Sequence, residues 1–199
     1  GLLALRFPEK SAALAASGVR PTIRHVANSA GLMLHPEAHY DMVRTGIGML
    51  GLPPDPSVAW PVPLTPALSW KTRVGLVKWV DAGQSISYGC TYTAQAREQI
   101  ATLPVGYADG YSRRLSNRAE VLIHGRRCPV VGRVTMDQTM VRVPDDLQVQ
   151  VGDEVVLIGR QGDEEITATD LARWSDTINY EIICSISPRV ARFYPPEDE

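Results

Sequence analysis

The 199-residue sequence predicts an α+β protein built from two dissimilar domains. In the first third of the chain, helical and strand-like runs alternate, which is typical of parallel βα units. Six prolines follow within residues 53–66, and neither a helix nor a central strand can continue there because proline fixes φ and lacks an N–H. Beyond the prolines, short strands separated by turns indicate a mainly antiparallel, barrel-like β domain. We therefore predict a first domain with its Pro-rich linker at residues 1–66 and a β domain at residues 67–199.

Helices and strands are predicted to alternate in the first domain. Residues 7–18 are rich in alanine and end at Gly18, a pattern typical of a helix with a glycine stop. Residues 22–29 predict a strand, and residues 30–40 begin a second helix or a turn. Residues 41–52 contain another strand-like run that also has helical alternatives. This order of elements suits parallel βα architecture.

The β domain is predicted from short apolar or alternating runs bounded by turn residues. The predicted strands are residues 72–80, 85–94, 98–106, 119–125, 127–134, 139–143, 151–159 and 189–194. The predicted helices are residues 166–175 and 178–186.

Composition excludes several classes of function. The formal net charge of −2 indicates no basic face, so nucleic acid is not expected as a partner. No apolar run approaches the length of a membrane-spanning helix, and we expect a cytoplasmic protein without membrane contacts. Cys90, Cys128 and Cys184 form no C-x-x-C pair, which predicts reduced thiols and neither a disulfide framework nor a metal site.

Two motifs in the first domain contain groups that bind anions. Asn28 and Ser29 fall where a predicted strand meets a predicted helix, so they suit either ordinary helix capping or an anion site. Arg44 interrupts an apolar run ahead of Gly46 and Gly48, and its guanidinium needs an acceptor in a buried ion pair or on a ligand. If both strands end on one face of a barrel, the two motifs converge on a phosphate-bearing ligand.

Tyr88 raises a similar choice in the β domain. It lies in "ISYGCTYTA", beside Gly89, where the backbone can bend or approach another group closely. Strand tyrosines usually pack their rings, so a core position and a hydroxyl directed at a substrate both remain open. On local pattern alone, Met136 is a core residue, Tyr180 a helix-face residue and His25 a structural histidine.

Seven motifs are spread over the chain: "RHVANSAG", "MVRTGIGMLGLPP", "ISYGCTYTA", "LPVGYADGYSRRL", "VGRVTMDQTMV", "LIGRQGDEEITATDLA" and "TINYEIICSISPRVAR". Taken together, they resemble alanine racemase. That family is pyridoxal-phosphate dependent and dimeric, with an N-terminal (β/α)₈ TIM-type barrel and a C-terminal β domain. The resemblance implies that this chain comprises the last βα units of the barrel and the whole β domain, and that homodimers form composite active sites.

The resemblance also implies a set of pyridoxal-phosphate contacts. Arg44 matches the arginine that hydrogen-bonds the pyridine nitrogen, and His25 matches the histidine that supports it. The positions that match phosphate-binding residues are Asn28, Ser29, Gly46, Ile47 and Tyr180.

On the substrate side, the resemblance implies one acid–base and its surroundings. Tyr88 matches a tyrosine that acts as one of two catalytic acid–bases. Met136 matches a residue whose backbone N–H contacts the substrate carboxylate. Tyr107 matches a tyrosine that lines the substrate entrance, with Arg113 as a neighbouring arginine.

One departure from the family pattern concerns the cofactor lysine. Its "K-A-x-A-Y-G-H-G"-like motif is absent, and Lys10, Lys71 and Lys78 are the only lysines. We expect this chain alone to bind no cofactor covalently and to be inactive. A longer chain or a separate chain carrying the N-terminal part would have to supply the lysine.

The activity implied by the resemblance is interconversion of L-alanine and D-alanine, which supplies D-alanine for peptidoglycan. Two alternatives stay open at this point. One is a broad-specificity racemase of the same family that acts on serine or other small amino acids. The other is a non-catalytic β-barrel binding module, since "VGDEVVLIG" at residues 151–159 is a generic barrel strand pair.

Overall fold

Helices and loops make up the first of two units in the computed structural model, which describes residues 2–194. The units divide between Ala67 and Leu68. Gly1 and residues 195–199, at the ends of the predicted domains, lie outside the described residues. The first unit contains helices α1 (Leu2–Ala16) and α2 (Ser29–Leu34) and the 3₁₀ turns Pro36–Ala38 and Ile47–Leu50.

The C-terminal end of α1 confirms the glycine stop expected from the sequence. Gly18 has a φ of 85°, in the left-handed region that glycine adopts without steric cost. The Val19 N–H then reaches back to the Leu14 carbonyl at 3.0 Å, which satisfies an acceptor of the last turn.

Both strand predictions for the first unit are wrong. The two segments do run parallel, because the Asp41 N–H donates to the Arg24 carbonyl at 3.1 Å and the Arg44 N–H to the Ala27 carbonyl at 2.9 Å. Two hydrogen bonds are too few for a ladder, and no strand occurs among residues 2–67. A parallel strand depends on neighbours that the local sequence pattern cannot supply.

The second unit contains antiparallel strands as the sequence predicts, and several are shorter than expected. The single strand predicted at residues 72–80 is wrong, because the chain changes sheets at Val74 and Gly75 and forms two strands there. The strands are β1 (Trp70–Arg73), β2 (Leu76–Val80), β3 (Ser85–Ile86), β4 (Tyr92–Thr93), β5 (Glu98–Leu103), β6 (Glu120–Ile123), β7 (Arg126–Pro129), β8 (Thr139–Val143), β9 (Glu154–Gln161) and β10 (Glu164–Ile166). Two helices follow, α3 (Ala168–Ser175) and α4 (Asn179–Ser185).

These strands close into a barrel-like arrangement. One sheet has the order β1-β9-β6-β7, with β10 also paired to β9, and a second has the order β2-β5-β8. The chain passes from the first sheet to the second at Val74 and Gly75, between β1 and β2. On the opposite side, an antiparallel bridge between Val130 and Val141 joins the end of β7 to β8. The core of this unit is apolar, and Val121, Leu122 and Ile123 of β6 are fully buried.

The strand predicted at residues 189–194 is absent, and β10 was not expected. Residues 189–194 follow α4 without pairing to a described strand. The Val190 N–H instead donates to the Ser187 carbonyl at 3.1 Å. Apolar character alone predicted that strand, but a strand forms only where a sheet edge is available to pair with it.

Tyr92 makes a polar contact at the edge of an apolar cluster, and we expect Tyr92→Phe to destabilise the fold. Its hydroxyl donates to Glu98 Oε2 at 2.6 Å, and Glu98 is buried. Burial and the bond to Glu98 raise the pKa of Tyr92 to about 12, whereas an unfolded tyrosine titrates near about 10. The stabilisation is therefore complete below about pH 10 and is lost as the pH rises through about 12. Urea unfolding of the full-length protein at neutral pH should show a loss of about 1.5–3 kcal/mol.

Tyr111→Phe is the matched control for this stability prediction, with the opposite expected sign. Tyr111 is fully buried, and its hydroxyl has no hydrogen-bond partner among the described residues. Removing an unsatisfied buried hydroxyl should raise the free energy of unfolding, by about 1 kcal/mol. Equal effects of the two substitutions would contradict the assignment of the Tyr92 contribution to its bond with Glu98.

Candidate active site

Tyr88 lies on a tight turn between β3 and β4, not on the continuous strand predicted for residues 85–94. The turn is the 3₁₀ segment Tyr88–Cys90, and Ser87, Gly89 and Cys90 all have positive φ values. Positive φ values break a strand, because extended backbone needs negative φ. The Tyr88 side chain is 75% exposed, so it is not a core residue.

A pocket of about 540 Å³ in the second unit brings three predicted site residues together. Tyr88, Tyr107 and Met136 all line it, together with Arg113 and Arg133. The three predicted residues are 19 and 29 positions apart in sequence, so the fold of the β domain assembles this pocket. Tyr107 and Met136 are 44% and 53% exposed, which leaves both accessible from solvent.

Direct backbone contacts join the Tyr107 loop to the Met136 loop. The Tyr107 N–H donates to the Thr135 carbonyl and the Ala108 N–H to the Met136 carbonyl, both at 3.0 Å. Gly106 makes this approach possible, since a Cβ there would lie 2.3 Å from the Thr135 oxygen. The relative position of the two loops is therefore set by main-chain geometry.

The Met136 N–H is a free backbone donor among the described residues. Within residues 2–194 no group accepts a hydrogen bond from it, although the Met136 carbonyl is used by Ala108. A backbone N–H at an exposed pocket wall is a suitable donor for a carboxylate.

Arg189 ties the same two loops to the segment after α4. Its Nη2 donates to Asp137 Oδ1 at 2.7 Å, and its Nε lies 3.5 Å from Asp109 Oδ1. The other Asp109 oxygen accepts the Gly106 N–H at 2.9 Å. Asp137 also lines the pocket, so two arginines and one aspartate contribute charge there.

The charge of the pocket favours a small anion. Arg113 and Arg133 both line it, and guanidinium groups bind carboxylates well because they present several N–H donors in one plane. Arg133 was not among the site residues predicted from the sequence. It interrupts the apolar run "VVGRV" in the same way that Arg44 interrupts its own run, so the signal that singled out Arg44 could have found it.

In the first unit, Ser29 connects two of the predicted phosphate-binding segments. Its Oγ accepts the Gly46 N–H at 2.8 Å and the Gly48 N–H at 3.2 Å, and the residue is buried. A hydroxyl has two acceptor sites and one donor. With both acceptor sites occupied, the Ser29 proton is left to donate to an anion. Asn28 caps α2 by accepting the Gly31 N–H at 3.0 Å.

The remaining predicted residues are placed as follows. Arg44 and His25 are exposed, and no hydrogen bond joins them among the described residues. Ile47 begins the 3₁₀ turn Ile47–Leu50 and is buried. Tyr180 is half-buried on α4, outside the pocket that Tyr88 lines. The functions assigned to these residues stay predictions.

The described residues contain neither a metal cluster nor a helix that could span a membrane. No cluster of His, Cys, Asp and Glu that could hold a metal ion occurs in the described part of the chain. Among the helices of residues 2–194, none combines the length and apolar character needed to cross a bilayer.

Comparison with known families gives the class of the protein. The family "Alanine racemase, C-terminal domain" matches residues 67–194, and the family "Alanine racemase, N-terminal domain" matches residues 4–54. Together with the fold, these matches define a chain that joins part of an alanine racemase N-terminal domain to a C-terminal domain of the same family. The chain belongs to the alanine racemase family.

Individual relatives support the same assignment. An alanine racemase from Symbiobacterium thermophilum is 78% identical over 192 residues, which are 96% of this chain and 51% of that protein. One from Halothermothrix orenii is 52% identical over 172 residues, covering 86% of this chain and 45% of the relative. The chain thus spans about half the length of the curated relatives it matches.

Solved structures confirm the predicted fold class. An alanine racemase from Bacillus anthracis, solved with bound L-Ala-P, has a TM-score of 0.88 and 48% identity, covering 92% of this chain and 47% of that one. One from Bartonella henselae, with covalently bound pyridoxal phosphate, has a TM-score of 0.82 and 31% identity over 94% of this chain and 52% of its own. The chain is accordingly an α+β protein that combines part of a TIM-type barrel domain with a C-terminal β domain.

Proposed function

We propose that this chain forms part of a pyridoxal-phosphate-dependent enzyme that interconverts L-alanine and D-alanine. The observation that carries the proposal is the pocket around Tyr88. It combines an exposed phenol, an unused Met136 N–H and two guanidinium groups. An amino acid offers matching groups, since it has a carboxylate to bind and an α-proton to transfer.

Racemisation requires a proton to leave one face of the α-carbon and a proton to arrive on the other. One acid–base on each face is a natural solution. We assign one of them to the Tyr88 hydroxyl, which stands on a turn and is not packed in the core. The other is the lysine that the family resemblance implies, which this sequence does not contain.

The substrate carboxylate is assigned to the Met136 loop. The Met136 N–H would donate to one carboxylate oxygen, and the nearby guanidinium groups would attract the anion into the pocket. The Tyr107 ring lines the same pocket and would restrict its opening to small amino acids.

The donor set in the first unit fits a phosphate-bearing cofactor. The Ser29 hydroxyl keeps a proton to donate after accepting two backbone N–H groups, and Asn28 lies next to it. Arg44 would donate to the pyridine nitrogen, and because a guanidinium has no acceptor it would keep that nitrogen unprotonated. When bound, pyridoxal phosphate supplies the electron sink that stabilises the charge left after removal of the α-proton.

The proposal also covers the cellular location and the oligomeric state of the enzyme. We infer a cytoplasmic enzyme whose product, D-alanine, is used in peptidoglycan. We also infer a homodimer with composite active sites, in which the first unit of one chain and the β domain of the other contribute to the same site. A separate chain carrying the N-terminal part remains a second possible source of the missing lysine.

The proposed function predicts a sharp difference between the full-length protein and residues 1–199 alone. With pyridoxal phosphate and L-alanine, the full-length protein should form D-alanine, whereas residues 1–199 should form none because the lysine motif is absent. Formation of D-alanine can be measured by chiral chromatography.

A second measurement tests covalent attachment of the cofactor directly. Borohydride reduction followed by peptide mass spectrometry should detect no cofactor on Lys10, Lys71 or Lys78. Turnover by residues 1–199 with the cofactor attached to one of these lysines would contradict the proposal. Failure of the full-length protein to racemise alanine, with serine racemised instead, would favour the broad-specificity alternative.

A further inference from the structure

The residue before Tyr88 has an unusual backbone conformation. Ser87 has a φ of 65° and a ψ of 179°. This region of φ/ψ space is populated almost only by glycine, because a Cβ collides with the neighbouring backbone there. A serine persists in such a conformation only where surrounding contacts hold it.

One hydrogen bond and one close backbone approach hold Ser87 against residues 132 and 133. Its Oγ donates to the Arg133 carbonyl at 2.7 Å, across 46 positions of sequence. Gly132 allows the two segments to approach, since a Cβ at Gly132 would lie 2.7 Å from the Ile86 oxygen and 2.9 Å from the Ser87 Cβ. The turn that carries Tyr88 is thus fastened to the β7–β8 loop, which carries Arg133.

Asn117 fastens the other side of the same turn. Its Oδ1 accepts the Gly132 N–H at 2.6 Å, while its Nδ2 donates to Thr91 Oγ1 at 3.1 Å and lies 3.4 Å from the Thr91 carbonyl. One amide therefore bridges the two segments and uses both of its ends. Asn117 itself has a φ of 57°, in the left-handed region where asparagine is enriched.

We propose that Ser87 and Asn117 are positioning residues that together hold the Tyr88 hydroxyl in its reactive place. They act from the two sides of the Tyr88–Cys90 turn. Ser87 is hydrogen-bonded to Arg133, and Asn117 to Gly132. Ser87 keeps the turn in a conformation that it would otherwise leave, and Asn117 prevents the turn from moving away from Gly132. The inference rests on the proposed function, because it assumes that Tyr88 transfers a proton.

Two substitutions at Ser87 separate the hydrogen bond from the backbone conformation. Both Ser87→Ala and Ser87→Gly remove the bond to Arg133, but only glycine adopts the observed φ and ψ without strain. We expect Ser87→Ala to lower kcat of the full-length enzyme by about 10²-fold, the effect of misplacing a reacting group by about 1 Å. Ser87→Gly should lower kcat by about tenfold or less, the equivalent of one lost hydrogen bond.

Asn117→Asp tests the second anchor with almost no change in shape. The carboxylate can still accept the Gly132 N–H, but it places an oxygen against the Thr91 carbonyl where the amide group donated. We expect kcat to fall by about tenfold, the equivalent of one lost hydrogen bond, with little change in KM, because the Met136 loop that binds the carboxylate is not altered. Ser85→Ala is the matched control, since it removes a hydroxyl contact to Thr93 in the same hairpin; it should leave kcat within about twofold of the parent.

A spectroscopic readout reports the position of Tyr88 without relying on turnover. Full-length protein with 3-fluorotyrosine at position 88 should give one narrow ¹⁹F resonance in the parent and in Ser85→Ala. Ser87→Ala and Asn117→Asp should shift or broaden that resonance, and Ser87→Gly should change it less. Parent-like spectra and kcat in Ser87→Ala and Asn117→Asp, or equal losses in Ser87→Ala and Ser87→Gly, would overturn the proposal.

The two measurements also distinguish failure of this inference from failure of the proposed function. If the full-length parent does not racemise alanine, the proposed function fails. The ¹⁹F spectra then still decide whether Ser87 and Asn117 hold Tyr88, and unchanged spectra overturn that part independently.

Discussion

Tyr88→Phe in the full-length enzyme is expected to lower the rate of racemisation by about 10²–10⁴-fold, the contribution of a positioned acid–base. Phenylalanine keeps the ring and removes only the hydroxyl that we propose transfers the proton. The loss should be the same from L-alanine and from D-alanine. The two enantiomers have equal free energies, so kcat/KM in the two directions must stay equal in any variant.

Tyr92→Phe is the matched control, because Tyr92 lies four residues further along and its hydroxyl is bonded to Glu98. It should lower stability and leave the rate at moderate temperature close to that of the parent. Stopped assays with chiral chromatography in both directions provide the measurement. A loss smaller than tenfold in Tyr88→Phe, or equal losses in the two variants, would remove Tyr88 from its proposed role.

Mixing two inactive variants should restore activity if the active sites are composite. Arg44 lies in the first unit and Tyr88 in the second, so Arg44→Glu and Tyr88→Phe disable different contributions to a site. In a homodimer with shared sites, each mixed dimer has one site with both defects and one with neither. Random reassortment makes about half of the dimers mixed, so activity should recover to about a quarter of the parent value.

The design needs proof that subunits have exchanged. One variant can carry an affinity tag of different mass, so that intact mass spectrometry reports the fraction of mixed dimers. Each variant mixed with itself gives the baseline. Absence of recovery in a sample with confirmed exchange would mean that each site is built within one chain, or that Tyr88 does not take part in it.

Local sequence patterns were sufficient for several elements. The glycine stop of α1, most of the antiparallel strands of the β domain and the two helices near its end depend on short-range signals, such as Gly18 after α1 and the turn residues between the strands. Patterns of apolar residues were not sufficient at residues 22–29 or 189–194. In both places the residues suit a strand, but among the described residues neither segment is paired to a strand.

In the pocket, too, some residues could be predicted from sequence motifs and others could be found only in the structure. Family motifs pointed to Tyr88, Tyr107 and Met136, which the structure brings into one pocket. Sequence reasoning missed Arg133, Ser87 and Asn117. The local sequence around Ser87 does not predict a φ of 65°, because serine does not adopt this conformation without contacts that hold it.

By itself, the sequence determined the α+β class, the Pro-rich boundary region and the chemical groups available to a site, since these depend on residue types and their spacing. Only the tertiary structure decided how the strands close, through the crossing at Val74 and the bridge from Val130 to Val141. It also decided that Tyr88 stands on a turn that is held by the hydrogen bond from Ser87 to Arg133, 46 positions further along the chain. Contacts at such separations depend on which elements pack together, and a hydrogen bond between distant residues leaves no mark in the sequence around either of them.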